Sequence, residues 1–392
     1  MNEQAINTEA QKEHIEKEQK KYRSFVEELL IKMKQKGGSD LFLTVGFPPA
    51  FKINGELHKL TDLKSLTPEQ VASFAIVTMN PKQRKEFTNN NECNYAISVE
   101  NVGRFRVNAY RQRGSVSLVM RIINTEIPNL EDLKVPSNLK EIVMQKRGLV
   151  IVVGGTGSGK STTLAAMIGH RNRNSAGHII TIEDPIEFVH KHDKSIVSQR
   201  EVGVDTENWE IALKNTLRQA PDVILIGEIR DRETMEHAIS FSETGHLCLA
   251  TLHANNANQA LDRIINFFPE DRKQQLLMDL SLNLKSIISQ RLIPTKSGSR
   301  VPAVEILLNT SYIADLIKKA EVDTIKESMK NNQSIGMQTF DQALFELYEQ
   351  EQISLEDAIR NSDSPNDLKI AIKLNSKLPS SHTQMIEELK LA

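Results

Sequence analysis

Residues 148–161 read GLVIVVGGTGSGKS and decide the fold of the carboxyl-terminal two thirds of the chain. The apolar run 149–153 predicts a buried strand, and the loop after it matches the pattern G-x-x-x-x-G-K-[ST]. In such a loop, backbone N–H groups and a helix amino terminus converge on phosphate oxygens. We expect Lys160 to reach the β and γ phosphates of a nucleotide and Ser161 to ligate Mg²⁺. The predicted phosphate-binding residues are Gly154, Gly155, Thr156, Gly157, Ser158, Gly159, Lys160, Ser161 and Thr162.

Apolar strands alternate with helices on the carboxyl-terminal side of this loop. Strands are predicted at 178–182, 223–226 and 246–251, with a helix beginning at Lys160. This alternation is typical of a parallel sheet with helices on its faces. After Pro269 the pattern is mostly helical, with one interrupting strand at 300–308.

Two of these strands end in acidic residues. The run PDVILIGE ends at Glu228 and has Gly227 where an aspartate is more usual, while the run IITIED presents Glu183 and Asp184. Ligands of open α/β sheets bind at the carboxyl ends of the strands, so both glutamates are expected beside the phosphate loop. We expect Glu228 to contact the Mg²⁺ shell, to polarise the attacking water, or both, and Glu183 to act in catalysis and metal binding. The alternative is that they are surface acids at strand ends.

Two histidines bracket the apolar strand that follows. His246 precedes the run 247–250, and His253 comes shortly after it. A histidine at a strand end could sense the γ-phosphate by hydrogen bonding. An isolated histidine can equally be a packed or capping residue, and that alternative stays open here.

Composition excludes several classes of protein. The chain has 392 residues and a formal net charge of −2, so no global positive field attracts nucleic acid or anionic lipid. No apolar run approaches the roughly 18 residues of a membrane helix, and the amino terminus lacks an apolar signal region. A cytosolic protein is therefore expected. Cys93 and Cys248 lie in unrelated contexts, which favours free thiols packed in strands over a disulfide or a zinc cluster.

The amino-terminal part predicts a small α+β unit. It contains an apolar strand at 40–45, an Asn54-Gly55 hairpin signal and a helix start at Thr67. The first 20 residues are charged and predict either a frayed leader or a solvated helix. The predicted organisation is a flexible leader over 1–20, an amino-terminal domain over 21–124, a linker over 125–140, an ATPase domain over 141–372 and a tail over 373–392.

A hairpin in this unit carries several arginines. Arg104 and Arg106 alternate with apolar residues and share the polar face of their strand. A turn centred between Gln112 and Arg113 would set Arg104 opposite Arg121. Like charges directly opposite each other destabilise a sheet, which suggests that an anion, such as a phosphate from a neighbouring subunit, offsets the repulsion. Alternatively the arginines form a solvated face, or Arg106 is the principal ligand.

Four segments together resemble the secretion and pilus ATPases of the GspE/PulE superfamily, and most closely its PilT/PilU twitching-motility branch. They are the phosphate loop GGTGSGKST at 154–162, TIEDPIEFVH at 181–190, ILIGEIRD at 224–231 and ETGHLCLATLHANNA at 243–257. The segment YIADLIKK at 312–319 departs from the PilT-type retraction signature, and the tail after it looks PilU-like.

The resemblance implies a PAS-like amino-terminal domain followed by a RecA-like P-loop ATPase domain. It implies a cytoplasmic homohexamer that binds ATP and Mg²⁺ and associates peripherally with the inner membrane. Its implied role is type IV pilus retraction beside a PilT-type ATPase and an inner-membrane platform protein. Because this family supplies arginines to the nucleotide from the amino-terminal domain, the resemblance also favours Arg104, Arg106 and Arg121.

Two other functions are compatible with a RecA-like core. A nucleic-acid-translocating motor is disfavoured by the net charge of −2 and by the single tryptophan, since no aromatic platform accompanies the basic residues. A nucleotide-dependent assembly module without motor activity is disfavoured by the intact Lys160, Glu183 and Glu228. We therefore expect no nucleic-acid partner.

Overall fold

The computed structural model describes residues 3–123 and 126–378, with side chains described from residue 16 onward. The chain divides into two compact units, residues 1–125 and residues 126–392.

The first unit is built on a six-stranded antiparallel sheet with the strand order β3-β2-β1-β6-β5-β4. Its elements are α1 (Glu3–Gln35), β1 (Gly38–Thr44), β2 (Ala50–Ile53), β3 (Glu56–Lys59), α2 (Pro68–Thr78), α3 (Pro81–Asn90), β4 (Glu92–Val99), β5 (Gly103–Gln112) and β6 (Ser115–Ile123).

One helix covers most of the amino-terminal segment. α1 is continuous from Glu3, so the helical alternative agrees with the backbone of residues 3–20. Further along, Leu30 and Met33 are fully buried, as their helical spacing predicts. Gly37, with φ of +69°, adopts the left-handed backbone that helix termini favour, and α1 ends two residues before it.

The arginine hairpin corrects the predicted register. The turn residues are Arg113 and Gly114, both with positive φ (49° and 77°), as in the tight turns that match the twist of paired strands. The turn therefore lies one residue later than predicted. As a result Arg106, not Arg104, is opposite Arg121, and Arg104 pairs with Ile123.

The second unit contains a seven-stranded sheet in the order β13-β12-β7-β11-β10-β8-β9, parallel except for the edge pair β12·β13. Its strands are β7 (Gly148–Val153), β8 (Gly177–Glu183), β9 (Ser195–Glu201), β10 (Val223–Ile226), β11 (Leu247–Leu252), β12 (Leu284–Pro294) and β13 (Arg300–Leu308). Its helices are α4 (Leu139–Val143), α5 (Lys160–Asn174), α6 (Trp209–Thr216), α7 (Arg232–Glu243), α8 (Ala257–Asn266), α9 (Glu270–Asn283), α10 (Ser311–Lys318), α11 (Val322–Asn331), α12 (Phe340–Glu349), α13 (Leu355–Arg360) and α14 (Pro365–Asn375).

The sheet is covered on both faces. Successive residues of β7 alternate between two apolar clusters, with Leu149 and Ile151 in one and Val150 and Val152 in the other. A fully buried parallel strand is expected to read as a continuous apolar run, which is what the sequence shows there. Cys248 lies buried in β11, and Cys93 lies buried in β4 of the first unit; both are free thiols, as predicted.

Two strands were not predicted from the sequence. β9 carries polar residues, and β12 follows α9 directly, since Asn283 and Leu284 are adjacent and no turn residue separates the elements. Short apolar runs do not distinguish helix from strand by periodicity alone. β12 matters for function because it lies beside β7, the strand that feeds the phosphate loop.

The segments predicted as linker and tail have structure of their own. Leu130 and Leu139 are buried against the second sheet, so the described part of the predicted linker packs onto that unit. α14 ends at Asn375, inside the predicted tail, and residues 379–392 lie outside the described part of the chain.

Candidate active site

The phosphate loop joins β7 to α5 and holds its lysine in place. Gly159 has φ of +88° and precedes the first turn of α5, a backbone conformation in which a side chain is strained. Lys160 Nζ donates hydrogen bonds to the carbonyl oxygens of Gly154 at 2.7 Å and Gly155 at 2.9 Å. Burial lowers the pKa of Lys160, while the charge of Glu228 acts in the opposite direction. The ammonium group is therefore held at the loop by neutral carbonyls that anionic oxygens can replace.

The phosphate loop contains a hydroxyl group that could donate a hydrogen bond to a bound phosphate. Ser158 Oγ is buried and has no hydrogen-bond partner among the residues that the structure describes. A buried hydroxyl without a partner costs free energy. A phosphate oxygen would accept its hydrogen bond, so the loop fits the ligand that its sequence pattern predicts.

Glu228 follows β10 at the carboxyl edge of the sheet. A Cβ atom on the preceding Gly227 would lie 3.0 Å from the carbonyl oxygen of Ile182 and 3.1 Å from Cα of Glu183. Close approach to the β8 backbone therefore explains why glycine replaces the usual aspartate. Only one acidic side chain, that of Glu228, projects from this strand end into the cleft.

Glu228 has two partners that fix both of its oxygens. His253 Nε2 lies 3.3 Å from Oε1, and Arg230 Nε donates to Oε2 at 2.7 Å. Arg230 also reaches Asp184, with 3.5 Å between Nη1 and Oδ2. The sequence reasoning missed Arg230, although its position two residues after Glu228 on the same strand end could have indicated it.

Glu183 lies at the end of β8, next to β10 in the sheet. Its Oε1 accepts hydrogen bonds from Thr181 Oγ1 at 2.5 Å and from Gln199 Nε2 at 3.1 Å. Burial raises the pKa of Glu183 to about 7, although these two hydrogen bonds act to lower it. At neutral pH this carboxyl group therefore exchanges a proton readily, which is the property expected of a general base.

The two histidines have different locations. His253 follows β11 at the carboxyl edge and meets Glu228. His246 precedes β11 at the amino edge, where its Nδ1 lies 3.1 Å from Thr244 Oγ1 and 3.2 Å from the carbonyl oxygen of Phe241. Of the two histidines predicted as candidates for sensing the γ-phosphate, His246 does not lie at the phosphate loop, because a six-residue strand separates the two ends by roughly 20 Å.

A cleft of about 240 Å³ is lined by Lys160, Glu183, Glu228 and His253. The phosphate loop, the ends of β8, β10 and β11, and the only tryptophan, Trp209, form its walls. Glu187 also faces the cleft, and its charge, like that of Glu228, opposes the lowering of the Lys160 pKa by burial. The charged and polar residues that line it are Thr156, Lys160, Ser161, Glu183, Asp184, Glu187, His190, Glu228, Thr251 and His253.

The predicted metal ligands form no ready-made metal site. Within residues 3–123 and 126–378, no group of three or more His, Cys, Asp or Glu residues is placed to hold a metal ion. Ser161 and Glu228 line one cleft, together with Glu183. This arrangement fits Mg²⁺, which keeps several waters and takes its remaining ligands from one or two protein groups and from substrate phosphates.

The hairpin that carries Arg104, Arg106 and Arg121 lies in the first unit, next to an acidic residue that the sequence reasoning missed. Asp40 of β1 pairs with Arg121 of β6, with 2.6 Å between Oδ1 and Nε, and the Asp40 side chain is only 4% exposed. The repulsion between Arg106 and Arg121 is therefore offset within the chain. Arg121 therefore already has an anionic partner, the carboxylate of Asp40. That any of the three arginines, Arg104 included, reaches a nucleotide stays a prediction.

The sequence compares with known proteins over nearly its whole length. The profile of the family described as type II/IV secretion system protein matches residues 5–374. The chain belongs to this secretion ATPase family. Among its relatives, it is 58% identical to the type IV pilus ATPase PilU of Pseudomonas aeruginosa, over 92% of this chain and 95% of PilU. It is 41% identical to the type IV pilus retraction ATPase PilT of the same organism, over 87% of this chain and 98% of PilT.

Two solved structures share the fold of this chain. A crystal structure of the pilus retraction motor PilT with bound ADP superposes with a TM-score of 0.83 at 43% identity, covering 88% of this chain and 99% of that one. The Legionella pneumophila ATPase DotB gives a TM-score of 0.76 at 26% identity, covering 86% and 94%. The predicted fold class, an amino-terminal domain followed by a RecA-like ATPase domain, is confirmed, and so is the prediction of an ATP hydrolase. No helix in the described part of the chain is long and apolar enough to cross a bilayer.

Proposed function

We propose that this chain is a Mg²⁺-dependent ATPase that forms hexameric rings and drives or assists the retraction of type IV pili. The names of the similar proteins PilU and PilT support the link to type IV pili and to retraction. The bound ADP of the PilT structure supports nucleotide binding at the corresponding fold.

The observation that carries the proposal is the contact between His253 and Glu228 in the cleft of Lys160. These three residues come from three separate strand ends and face one space. Lys160 is placed to exchange its bonds to loop carbonyls for bonds to phosphate oxygens. Glu228, with one oxygen held by Arg230 and the other near His253, is placed to orient a water molecule for attack. When bound, Mg²⁺ would neutralise charge that develops on the phosphate oxygens.

We propose that Glu183 accepts the proton that the attacking water loses. Glu183 lies at the neighbouring strand end, where its carboxylate can accept a proton from the attacking water. We propose that Ser161 and Glu228 hold Mg²⁺ through its inner or outer shell, with Glu183 next to it.

The hairpin arginines and the similarity to PilT and PilU support the proposed ring. We propose that Arg106 or Arg104 of one subunit reaches the nucleotide of the next. Repeated head-to-tail contacts of this kind form a ring when the rotation between subunits closes. Such a ring would act in the cytoplasm, where ATP is available, against an inner-membrane platform protein of the pilus machine. Because PilU is the more similar of the two named relatives, at 58% against 41% identity, we propose that the ring works beside a PilT-type motor.

ATP hydrolysis by the purified chain, with and without DNA, tests this proposal. We expect turnover that needs Mg²⁺, is unaffected by DNA, and disappears in Lys160→Ala, since the loop then loses its cation. Glu270→Gln removes one charge from an exposed ion pair on α9 and should hydrolyse ATP at the wild-type rate. Stimulation by DNA would favour a nucleic-acid motor, and absence of turnover in the wild type would favour an assembly module. Loss of pilus retraction in cells that carry Lys160→Ala would support the cellular role.

A further inference from the structure

Two adjacent residues of β12 hold opposite sides of the candidate active site. Gln290 is 3% exposed; its Nε2 donates to the carbonyl oxygen of Ser158 at 2.9 Å, and its Oε1 accepts from Thr163 Oγ1 at 2.8 Å. Arg291, the next residue, projects from the other face of the strand, as alternation requires. It makes all of its described contacts away from the phosphate loop.

Arg291 connects the loop that follows β11 to the carboxyl-terminal helices. Its Nη2 donates to the carbonyl oxygen of Asn255 at 3.1 Å and to Asp363 Oδ1 at 2.6 Å. Its Nη1 donates to the carbonyl oxygen of Asn361 at 2.6 Å, and its guanidinium carbon lies 3.9 Å from the ring centre of Phe340. A planar guanidinium with several donors in a fixed geometry can make these contacts together, and a lysine cannot.

Asp363 is the acidic centre of this connection. It lies between α13 and α14, and its side chain is 8% exposed. Besides Arg291, its carboxylate accepts from Lys326 Nζ at 3.1 Å and from Asn256 Nδ2 at 3.1 Å. Burial alone would raise the pKa of Asp363, but Arg291 and then Lys326 bring it below its ordinary value. The carboxylate is therefore charged and accepts hydrogen bonds from residues of three different parts of the second unit.

The segment held by these contacts is the one that carries His253. Asn255 is bound through its carbonyl to Arg291, and Asn256 through its side chain to Asp363. At the far end, the N–H of Ala257 donates to the buried Glu305 at 2.8 Å. His253 itself has an exposed side chain, and its 3.3 Å contact with Glu228 depends on where this segment lies.

We propose that Arg291 and Asp363 are positioning residues that hold the segment 253–256 in the place where His253 meets Glu228, and that they couple the carboxyl-terminal helices to ATP turnover. This inference rests on the proposed ATPase function. Lys326 lies in α11, Phe340 in α12, and Asp363 in the loop before α14, so a shift of any of these elements would change the anchorage of the segment. A protein that binds those helices would in this way change the rate of hydrolysis without touching the nucleotide.

Asp363→Asn tests the role of the charge, and Arg291→Lys tests the role of the guanidinium geometry. Asp62→Asn is the matched control, because it makes the same substitution in an exposed ion pair with Lys32 of the first unit. We expect kcat for ATP to fall on the order of tenfold in both test variants, the size of coupling within one charge network, and the KM for ATP to stay near wild type. The control should keep wild-type turnover.

Combination with His253→Ala separates positioning from general damage to the fold. If Asp363 acts through the segment, Asp363→Asn should cause no further loss of kcat once the imidazole has been removed. An equal fractional loss in both backgrounds would show that Asp363 acts elsewhere and would overturn the inference.

Amide hydrogen exchange gives a second measurement that does not need turnover. Relative to the control, Asp363→Asn should exchange faster in a peptide covering 253–257 and at the wild-type rate in a peptide covering 154–161. Unchanged exchange at 253–257 would overturn the inference, even if His253→Ala has no measurable activity. A wild-type protein that hydrolyses no ATP would instead contradict the proposed function, and the exchange result would still decide whether Asp363 holds the segment.

Discussion

Replacing Glu183 with glutamine should make the protein more stable above neutral pH. The folded protein raises the pKa of Glu183 from 4.5 to about 7, chiefly by burial. One pKa unit corresponds to about 1.36 kcal/mol, so charging this carboxyl group costs the folded state roughly 3 kcal/mol more than the unfolded state. Because the folded pKa is the higher one, the contribution of Glu183 to the free energy of unfolding is fully present below pH 4.5. That contribution is lost as the pH rises through about 7. Glu183→Gln removes that loss.

Denaturation followed by Trp209 fluorescence measures this effect in the domain concerned. Trp209 is the only tryptophan, and its side chain lies in the cleft near Gly227. At pH 8 the midpoint of urea unfolding should be higher for Glu183→Gln than for the wild type, and the difference should shrink towards pH 4.5. Glu270→Gln, which loses a surface carboxylate, controls for the change in net charge.

A difference that stays constant from pH 5 to pH 8 would refute the argument, since it would show that burial does not raise the pKa of Glu183. The same variant should also hydrolyse ATP poorly at every pH, because the amide cannot accept the proton of water. Higher stability together with lower turnover would identify Glu183 as a group kept for function at the expense of stability.

The remaining predictions concern turnover and assembly. Glu228→Gln should bind nucleotide with near wild-type affinity, measured by Trp209 fluorescence, and should lose most of its turnover; an equal loss of binding would make Glu228 mainly structural. Subunits with Arg106→Ala, mixed with Lys160→Ala subunits, should regain ATPase activity that neither has alone, since arginine fingers contribute roughly 10³ to 10⁵ in rate. Arg121→Ala should recover less on mixing because its partner is the buried Asp40; equal recovery would show that Arg121 can leave that pair. A strictly monomeric mass in ATP and Mg²⁺ would contradict the ring.

Short-range patterns predicted the centre of the site well. The phosphate loop and the strands ending at Glu183 and Glu228 were visible because each is one continuous apolar run followed by its functional residue. The rule that parallel strands present their carboxyl ends at one edge then placed Glu183 and Glu228 together, as the structure has them.

Contacts between distant residues could not be read in the same way. The acid that pairs with Arg121 comes from β1, and no local pattern links Asp40 to the hairpin. His246 and His253 flank the same strand. They differ in that His246 precedes β11, at the amino edge of the sheet, and His253 follows it, at the carboxyl edge where the phosphate loop lies. The hairpin register differed by one residue, because the turn depends on which residues adopt positive φ.

The position of β12 has a consequence for how the chain is made. The outer edge of β7 is paired by β12, and the phosphate loop is supported by Gln290 on that strand. β12, with Gln290 on it, is synthesised long after the phosphate loop. A nascent chain that ends before Leu284 has the β7 edge unpaired and Ser158 without the support of Gln290. The first unit, whose sheet is complete at Ile123, has no such dependence. During synthesis the two units therefore mature at different times, and the second is exposed to misassociation through an open strand edge until β12 has emerged.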